Sequence, residues 1–380
     1  MTKRILSTLL ILVLSSSLLS GCGQSTSSSN TAQKPLPTTA KETTFGIEPF
    51  KEPQILRVGY FAGSALSLPF YIAEKEGFFK ELNIKIEYKT FTNGPAMMEA
   101  NADWDIAGAG SAGVLVGQIG YNTPMIGIAD YEDNQALFAR AGSALAKDPG
   151  NPDNWKGTTW LYPVGTTAHF TLATALNKVG LDITAIKSVN MDVSSALNAF
   201  VGGQGDGFAA WNAFAFAAED KGLIRINDAG NLKITNTSCL VATQKAMKDK
   251  RELLTKAWAV FYRTVDWTKK SNDNMNKAIN YYKDSCVEEG IKVDASVAKR
   301  IMQYFKGPTF DEAVQLMTKT APDSKGLYKS RELLQSEIDL LVTMDFFIQQ
   351  GKYKPEDRVK LLETRLVDPS IAKAAKALMK

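Results

Sequence analysis

Short β-like runs alternate with helical stretches along this chain, and the whole alternation occurs twice. In the first pass Ile55–Tyr60 reads as a strand, Gly63–Ser64 as a turn and Leu68–Glu76 as a helix stopped by Gly77. Ile84–Tyr88 then alternates as a strand, a helix follows Gly94–Pro95, and Asp105–Ala107 opens a third strand. The second pass places strands at Trp160–Tyr162, Ile186–Val189 and Asp206–Ala210, with helices over Thr166–Val179 and Ser194–Val201 between them. Strands separated by helices form mostly parallel sheets with helices on their faces, so the repeat predicts two α/β lobes. From Ala246 onward the pattern becomes helical, as in Leu253–Lys269 and Met275–Glu289, and predicts a helical wrap around one lobe. With 380 residues, 44% of them hydrophobic, the chain has material for two or three packed cores.

The N-terminal segment predicts a destination. Lys3 and Arg4 precede an apolar run, Ile5–Leu19, closed by small residues, which is the layout of a secretion signal. The run is too short for a comfortable membrane span. At its end Leu19-Ser20-Gly21-Cys22 looks like a bacterial lipobox, cut before Cys22, which then carries the lipid. Residues 1–21 are therefore expected to be a lipoprotein signal peptide. Residues 22–53, polar and Pro-containing, are expected to be a flexible tether. Cys239 and Cys286 remain, and in an exported protein they could pair, although a chain with this much core does not require it.

Charge and composition exclude several functions. The balance of 44 basic against 40 acidic residues cannot form the basic stripe that nucleic acid requires. With one His in the chain, a Ser-His-Asp hydrolase or a His-rich zinc site would have to be built from His169 alone. P-loop, Cys-x-x-Cys and His-Glu-x-x-His signatures are absent, so no catalysis, cofactor or metal is expected. Gly108-Ala109-Gly110-Ser111-Ala112-Gly113 does match the dinucleotide fingerprint, with Asp130 about 20 residues on. An exported protein meets no steady supply of nicotinamide cofactor, however, and the run does not follow the first strand. What survives is a Gly-rich turn offering backbone N–H groups at a helix start, where Gly110 and Ser111 could face an anion.

A second such start stands at Gly165-Thr166-Thr167-Ala168-His169, with Thr166 at the N-cap. Unpaired N–H groups, hydroxyls and the helix dipole together make a small-anion cradle there, the plain alternative being an ordinary capped helix. His169, one turn in, is expected to be packed or hydrogen-bonded near the ligand. Ser64, Ser111, Asp130, Glu132, Asp192 and Asn212 fall at the ends of β-like segments, and strand ends line the binding crevice of open α/β sheets. Trp211 would offer a flat wall to a ligand's carbon portion, while Asp192 or Asp130 could pair with an amine.

From about Ile55 onward the chain resembles the solute-binding proteins of the nitrate, aliphatic sulfonate and taurine class of ABC importers. Four stretches carry the resemblance: Arg57–Tyr60 with Pro69–Phe79, Asp105–Gly110, Gly165–Phe170, and Ala196–Leu197 leading to Asp206–Trp211. It implies a type II periplasmic-binding-protein fold, α/β in class, with two lobes joined by two crossing strands, near Leu137–Arg140 and Leu240–Ala242. Lobe 1 would comprise 54–138 and 242–380, and lobe 2 139–241. In such relatives, turns matching Ser64, Ser111 and Thr166–Thr167 contact the acidic head of the ligand, and the region matching Trp211 contacts its body. Relatives often have an acid and a Pro after that Trp, whereas Asn212-Ala213-Phe214 follow here.

The resemblance implies a monomeric extracytoplasmic lipoprotein, anchored to the cell membrane through Cys22, that carries a sulfonate or taurine-like solute to ABC permease subunits. Binding proteins for vitamin precursors such as pyrimidines or riboflavin share the fold, and amino acids are a further alternative. A pyrimidine-synthase-like enzyme would be intracellular and cysteine-rich, against the export signal here. A surface adhesin or sensor would keep the fold without needing a closing cleft.

Overall fold

The repeated alternation folds as two five-stranded sheets in the computed structural model, which describes residues 43–379 apart from Thr235. The first half runs β1 (Gln54–Phe61), α1 (Leu68–Lys75), α2 (Phe78–Glu81), β2 (Ile84–Phe91), α3 (Gly94–Glu99), β3 (Ile106–Gly110), α4 (Ser111–Tyr121) and β4 (Met125–Glu132). Helical crossovers bring the chain back in the same direction, so β1 lies parallel to both β2 and β3. The second half runs β5 (Ala136–Ala139), α5 (Ala144–Lys147), β6 (Thr159–Tyr162), α6 (Thr167–Lys178), β7 (Lys187–Asn190), α7 (Val193–Val201), β8 (Gly207–Ala210), α8 (Asn212–Asp220) and β9 (Ile224–Asp228). β10 (Asn236–Ala242) then returns to the first sheet and inserts antiparallel between β3 and β4.

The strand orders are β2-β1-β3-β10-β4 and β7-β6-β8-β5-β9. Each sheet thus contains a strand that has crossed from the other half, which is the type II arrangement. The crossings lie between β4 and β5 and between β9 and β10, slightly ahead of the stretches the sequence pointed to. Leu137–Ala139 and Leu240–Ala242 are already held in ladders, with β8 and with β3 respectively. A buried amide pair joins the two crossings, Asn236 Nδ2 donating to Gln135 Oε1 at 2.7 Å, and Asn134 Nδ2 ties the first crossing to the start of α8 by donating to Asn212 Oδ1 at 2.8 Å.

The C-terminal part comprises α9 (Gln244–Asp249), α10 (Arg251–Lys270), α11 (Asn272–Glu288), α12 (Ala295–Tyr304), α13 (Phe310–Leu316), a short ladder of β11 (Thr320–Ala321) with β12 (Leu333–Leu334), then α14 (Gln335–Gln349), α15 (Pro355–Glu363) and α16 (Ser370–Leu378). α10 is fastened to the first sheet by Trp258 Nε1, which donates to Ile126 O at 2.9 Å, and by the Tyr262 hydroxyl, which donates to Ile128 O at 2.7 Å. The wrap is not confined to one lobe, as the sequence had suggested. Phe346 of α14 packs on Phe170 of α6 at 4.4 Å, and Arg300 of α12 pairs with Glu219 of α8. α14 is buried on two sides, with Leu340 and Met344 in the first lobe's core and Phe346 and Phe347 turned toward α6. Cys239 in β10 and Cys286 in α11 are separate, buried free thiols. Burial raises the pKa of both.

Candidate ligand-binding site

A cavity of about 350 Å³ lies between the lobes. Phe61, Leu66, Gly94, Pro95, Gly110, Gly113 and Glu132 line it from the first half, and Thr166, Thr167, Trp211 and Asn212 from the second. That space includes open solvent; the room for a water-sized guest is about 20 Å³, far below the range of ligand pockets. The glycines of the dinucleotide-like run serve packing: a Cβ on Gly108 would sit 2.6 Å from the Leu66 carbonyl oxygen, and one on Gly113 would sit 3.1 Å from the Gly94 Cα. The Gly-rich turn expected there does not form, because β3 passes directly into α4 at Gly110.

Besides α3, which Asn93 caps through Ala96 N–H at 3.0 Å, three helices begin on this cavity, with Gly110, Thr166 and Trp211 as the N-caps of α4, α6 and α8. None of the three receives a hydrogen bond from its N-cap side chain. Thr166 Oγ1 donates backward to Pro163 O at 2.7 Å, so its hydroxyl turns away from the first turn of α6. First-turn N–H groups have no acceptor within their helix and carry the positive end of its dipole. Here they come from both lobes, an arrangement suited to an anionic group. Trp211 adds a donor on the same wall: it is 5% exposed, and its indole Nε1 is buried without a partner among the described residues. Its ring meets Phe61 edge-on at 6.2 Å, so the indole is both core and cavity wall.

An acid stands on the same wall system. Glu132, 4% exposed, accepts from Ser238 Oγ at 2.5 Å and from Asn212 Nδ2 at 3.5 Å. Burial pushes its pKa up to about 7 although those hydrogen bonds favour the charged form. Asn212 is held with φ at 47°, in the left-handed region that costs most residues free energy and Asn least. Asn134 and Glu132 fix both ends of its amide.

Gly110, Glu132, Thr166, Thr167, Trp211 and Asn212 therefore come together from the residues marked in the sequence. Five others stand elsewhere. Ser64 Oγ accepts from Leu66 N at 3.2 Å, bracing the turn behind the cavity. Ser111 Oγ shares a 2.7 Å hydrogen bond with Thr343 Oγ1. Asp130 is buried and accepts from the N–H groups of Tyr131 and Lys306; burial, then the charge of Glu132, raises its pKa. Asp192 caps α7, accepting from Ser195 N at 2.9 Å, and is not among the residues that line the cavity. Gly165, with φ at 82°, stands at the rim. A Cβ there would lie 3.0 Å from Lys352 Nζ and 4.0 Å from Pro95. Cys22 lies outside the described residues.

His169 packs against Tyr162 and Phe347 and accepts from Gly165 N–H through Nδ1 at 3.2 Å. Burial, then the nearby Lys352 charge, lowers its pKa to about 4. Sequence analysis missed Phe61, Leu66, Gly94, Pro95, Gly113 and Lys352. Gly94–Pro95 was visible as a helix start, but nothing in the sequence placed α3 opposite α6. Lys352 lies over the rings of Phe347 and Tyr353, at 4.6 and 5.4 Å.

Comparison with known proteins agrees with this architecture. A curated protein of Escherichia coli (strain K12), named for aliphatic sulfonate binding, is 26% identical over 214 residues, 54% of this chain and 65% of its own length, just under two thirds. The protein YtlA of Bacillus subtilis (strain 168), named as a binding protein, is 25% identical over 71% of this chain and 83% of its own. The structure of the alkanesulfonate-binding protein SsuA from Xanthomonas axonopodis pv. citri, bound to MOPS, superposes with a TM-score of 0.62 at 20% identity, over 80% of this chain and 96% of that one. This likeness shows the periplasmic-binding-protein fold. Residues 65–274, more than half of the chain, match the NMT1/THI5-like family, and the protein belongs to that family.

Proposed function

We propose that this protein is the solute-binding component of an ABC importer, capturing a small anionic organic solute, a sulfonate or taurine-like compound, between its lobes. One observation carries this: three helix starts without side-chain caps, from both lobes, meet on a single cavity that also holds an unpartnered buried indole N–H. Backbone donors fixed in helices need no reorganisation to receive a sulfonate or carboxylate, and they discriminate by geometry rather than by net charge. A ligand touching both walls links the lobes, and that difference in shape is what a permease can sense. The cavity wall offers no thiol, and His169 is engaged with Gly165 outside it, so binding without catalysis is the simplest use of this arrangement. The N-terminal signal and Cys22 lipobox support export and lipid anchoring of a monomer. The flexible tether expected over 22–53 does not extend over 43–53, because Ile47 is buried in the first lobe's core and Phe50 N–H donates to Leu82 O at 3.1 Å, and the lobes divide at the crossings before β5 and before β10 rather than at 138/139 and 241/242.

The test is thermal unfolding of the mature chain against alkanesulfonates, taurine, amino acids, pyrimidines and flavins. A solute held only by the folded state raises the melting temperature in proportion to log concentration. Stabilisation by small sulfonates is expected. Stabilisation by pyrimidines or flavins alone would replace the anionic solute with a vitamin precursor.

A further inference from the structure

Two kinds of group stand side by side on the cavity. The helix starts of α4 and α6 and the Trp211 indole offer donors. Beside them Glu132, whose partner Ser238 lies next to Gly110, lines the wall with no Lys, Arg or His ion-pair partner among the described residues. Its neighbours make matters worse for a lone negative charge: Asp130 stands two residues away on β4, and Asp133 follows, paired with Lys306. Only neutral groups, Ser238 and Asn212, donate to it. A buried carboxylate without a cation is costly unless something supplies one. Among the described residues nothing does so, and Glu132 lines the cavity that a solute would enter.

We infer that Glu132 is the specificity-determining residue of the site, selecting solutes that carry an ammonium group beside the anionic head and disfavouring plain anions. The inference rests on the solute-binding function proposed above and adds the second charge of the ligand. Ser238 and Asn212 act as positioning residues: they hold the carboxyl by one oxygen each, and Asn134 in turn holds Asn212. Asn212, itself on the cavity wall, has a left-handed backbone and donates its amide N–H to Glu132.

The experiment is titration calorimetry on the mature chain at pH 8 with two matched pairs, taurine against ethanesulfonate and β-alanine against propionate. Within each pair the anion and carbon body are kept and only the ammonium is removed. The wild-type protein is expected to bind the ammonium-bearing member at least about tenfold more tightly, the usual scale for one charge-assisted hydrogen bond. Glu132→Gln should bring that ratio to about one, weakening the amino compound and strengthening the plain anion, since a repelling charge has gone. A purely structural role would move both members the same way. If Glu132→Gln does not fold, Glu132→Asp keeps the charge but withdraws it, and the ratio should fall without vanishing. Equal wild-type affinities within a pair, or a ratio unchanged in the variants, would overturn the inference and leave the anionic-solute function standing. Binding of neither pair would remove both.

Discussion

Many helix starts away from the cavity carry side-chain caps, whereas three of the four that border it do not. On the outside, Ser143, Asp192, Thr243, Ser271, Asp294 and Thr309 each turn a side-chain oxygen onto the first turn of their own helices. Such caps contribute about 1 kcal/mol each and leave fewer donors for anything else. On the cavity, Gly110 has no side chain, Thr166 points backward to Pro163, and Trp211 cannot accept. Because α2, α10 and α16 also start without a side-chain cap, and Asn93 caps α3 on the cavity, an open start alone does not mark the site; what marks it is that three open starts meet on one cavity.

The comparison can be broken most severely by giving a cavity helix an outer-type cap. Thr166→Asp would place a carboxylate on the first turn of α6, and solute affinity should fall about a hundredfold or more while the melting temperature is unchanged or higher. The reverse change outside, Asp192→Ala, should cost about 1 kcal/mol of stability and leave affinity alone. Calorimetry with parallel thermal unfolding checks both, and equal behaviour of the two variants would end the distinction.

The pH dependence of stability sharpens the same contrast between open and closed groups. Glu132 has a folded pKa raised to about 7 from 4.5, so the folded state holds a proton that the unfolded chain releases. Its contribution is present below about pH 4.5 and is lost as pH rises through about 7. Glu132→Gln should therefore raise the melting temperature at pH 8 and change it little at pH 5. His169 works in the opposite direction: its pKa is lowered from 6.5 to about 4, so stability present above 6.5 is lost as pH falls toward 4. His169→Gln should flatten that acid limb and leave the alkaline one alone.

Trp211→Phe has the smallest expected effect. It keeps the apolar wall against Phe61 but removes the unpartnered Nε1 donor, and should weaken solute binding by about 1 kcal/mol without unfolding the protein. An unchanged affinity would mean that the indole N–H faces no ligand.

The lobes, their parallel strands and the helical C-terminal part were legible in the chain because periodicity and Gly/Pro punctuation are local. Thr166 at an N-cap was legible for the same reason. The sheet changes between β4 and β5 and between β9 and β10 were less so, since a strand's hydrogen-bonding partner is not written in its own residues. The sorting of acids was not legible at all. Asp130, Glu132 and Asp192 look alike as strand-end carboxyls, yet one is buried on backbone N–H groups, one lies on the cavity, and one caps a helix.

Local sequence alone determined where helices start and which residues stand at those starts, because capping and turn chemistry act over three or four positions. Tertiary structure alone decided which of those starts share a cavity, which acid stands beside them without a cation, and that α14 reaches the second lobe. Those facts depend on contacts between residues far apart in the chain, and the free-energy cost of a buried charge or an open donor exists only once the lobes have excluded water.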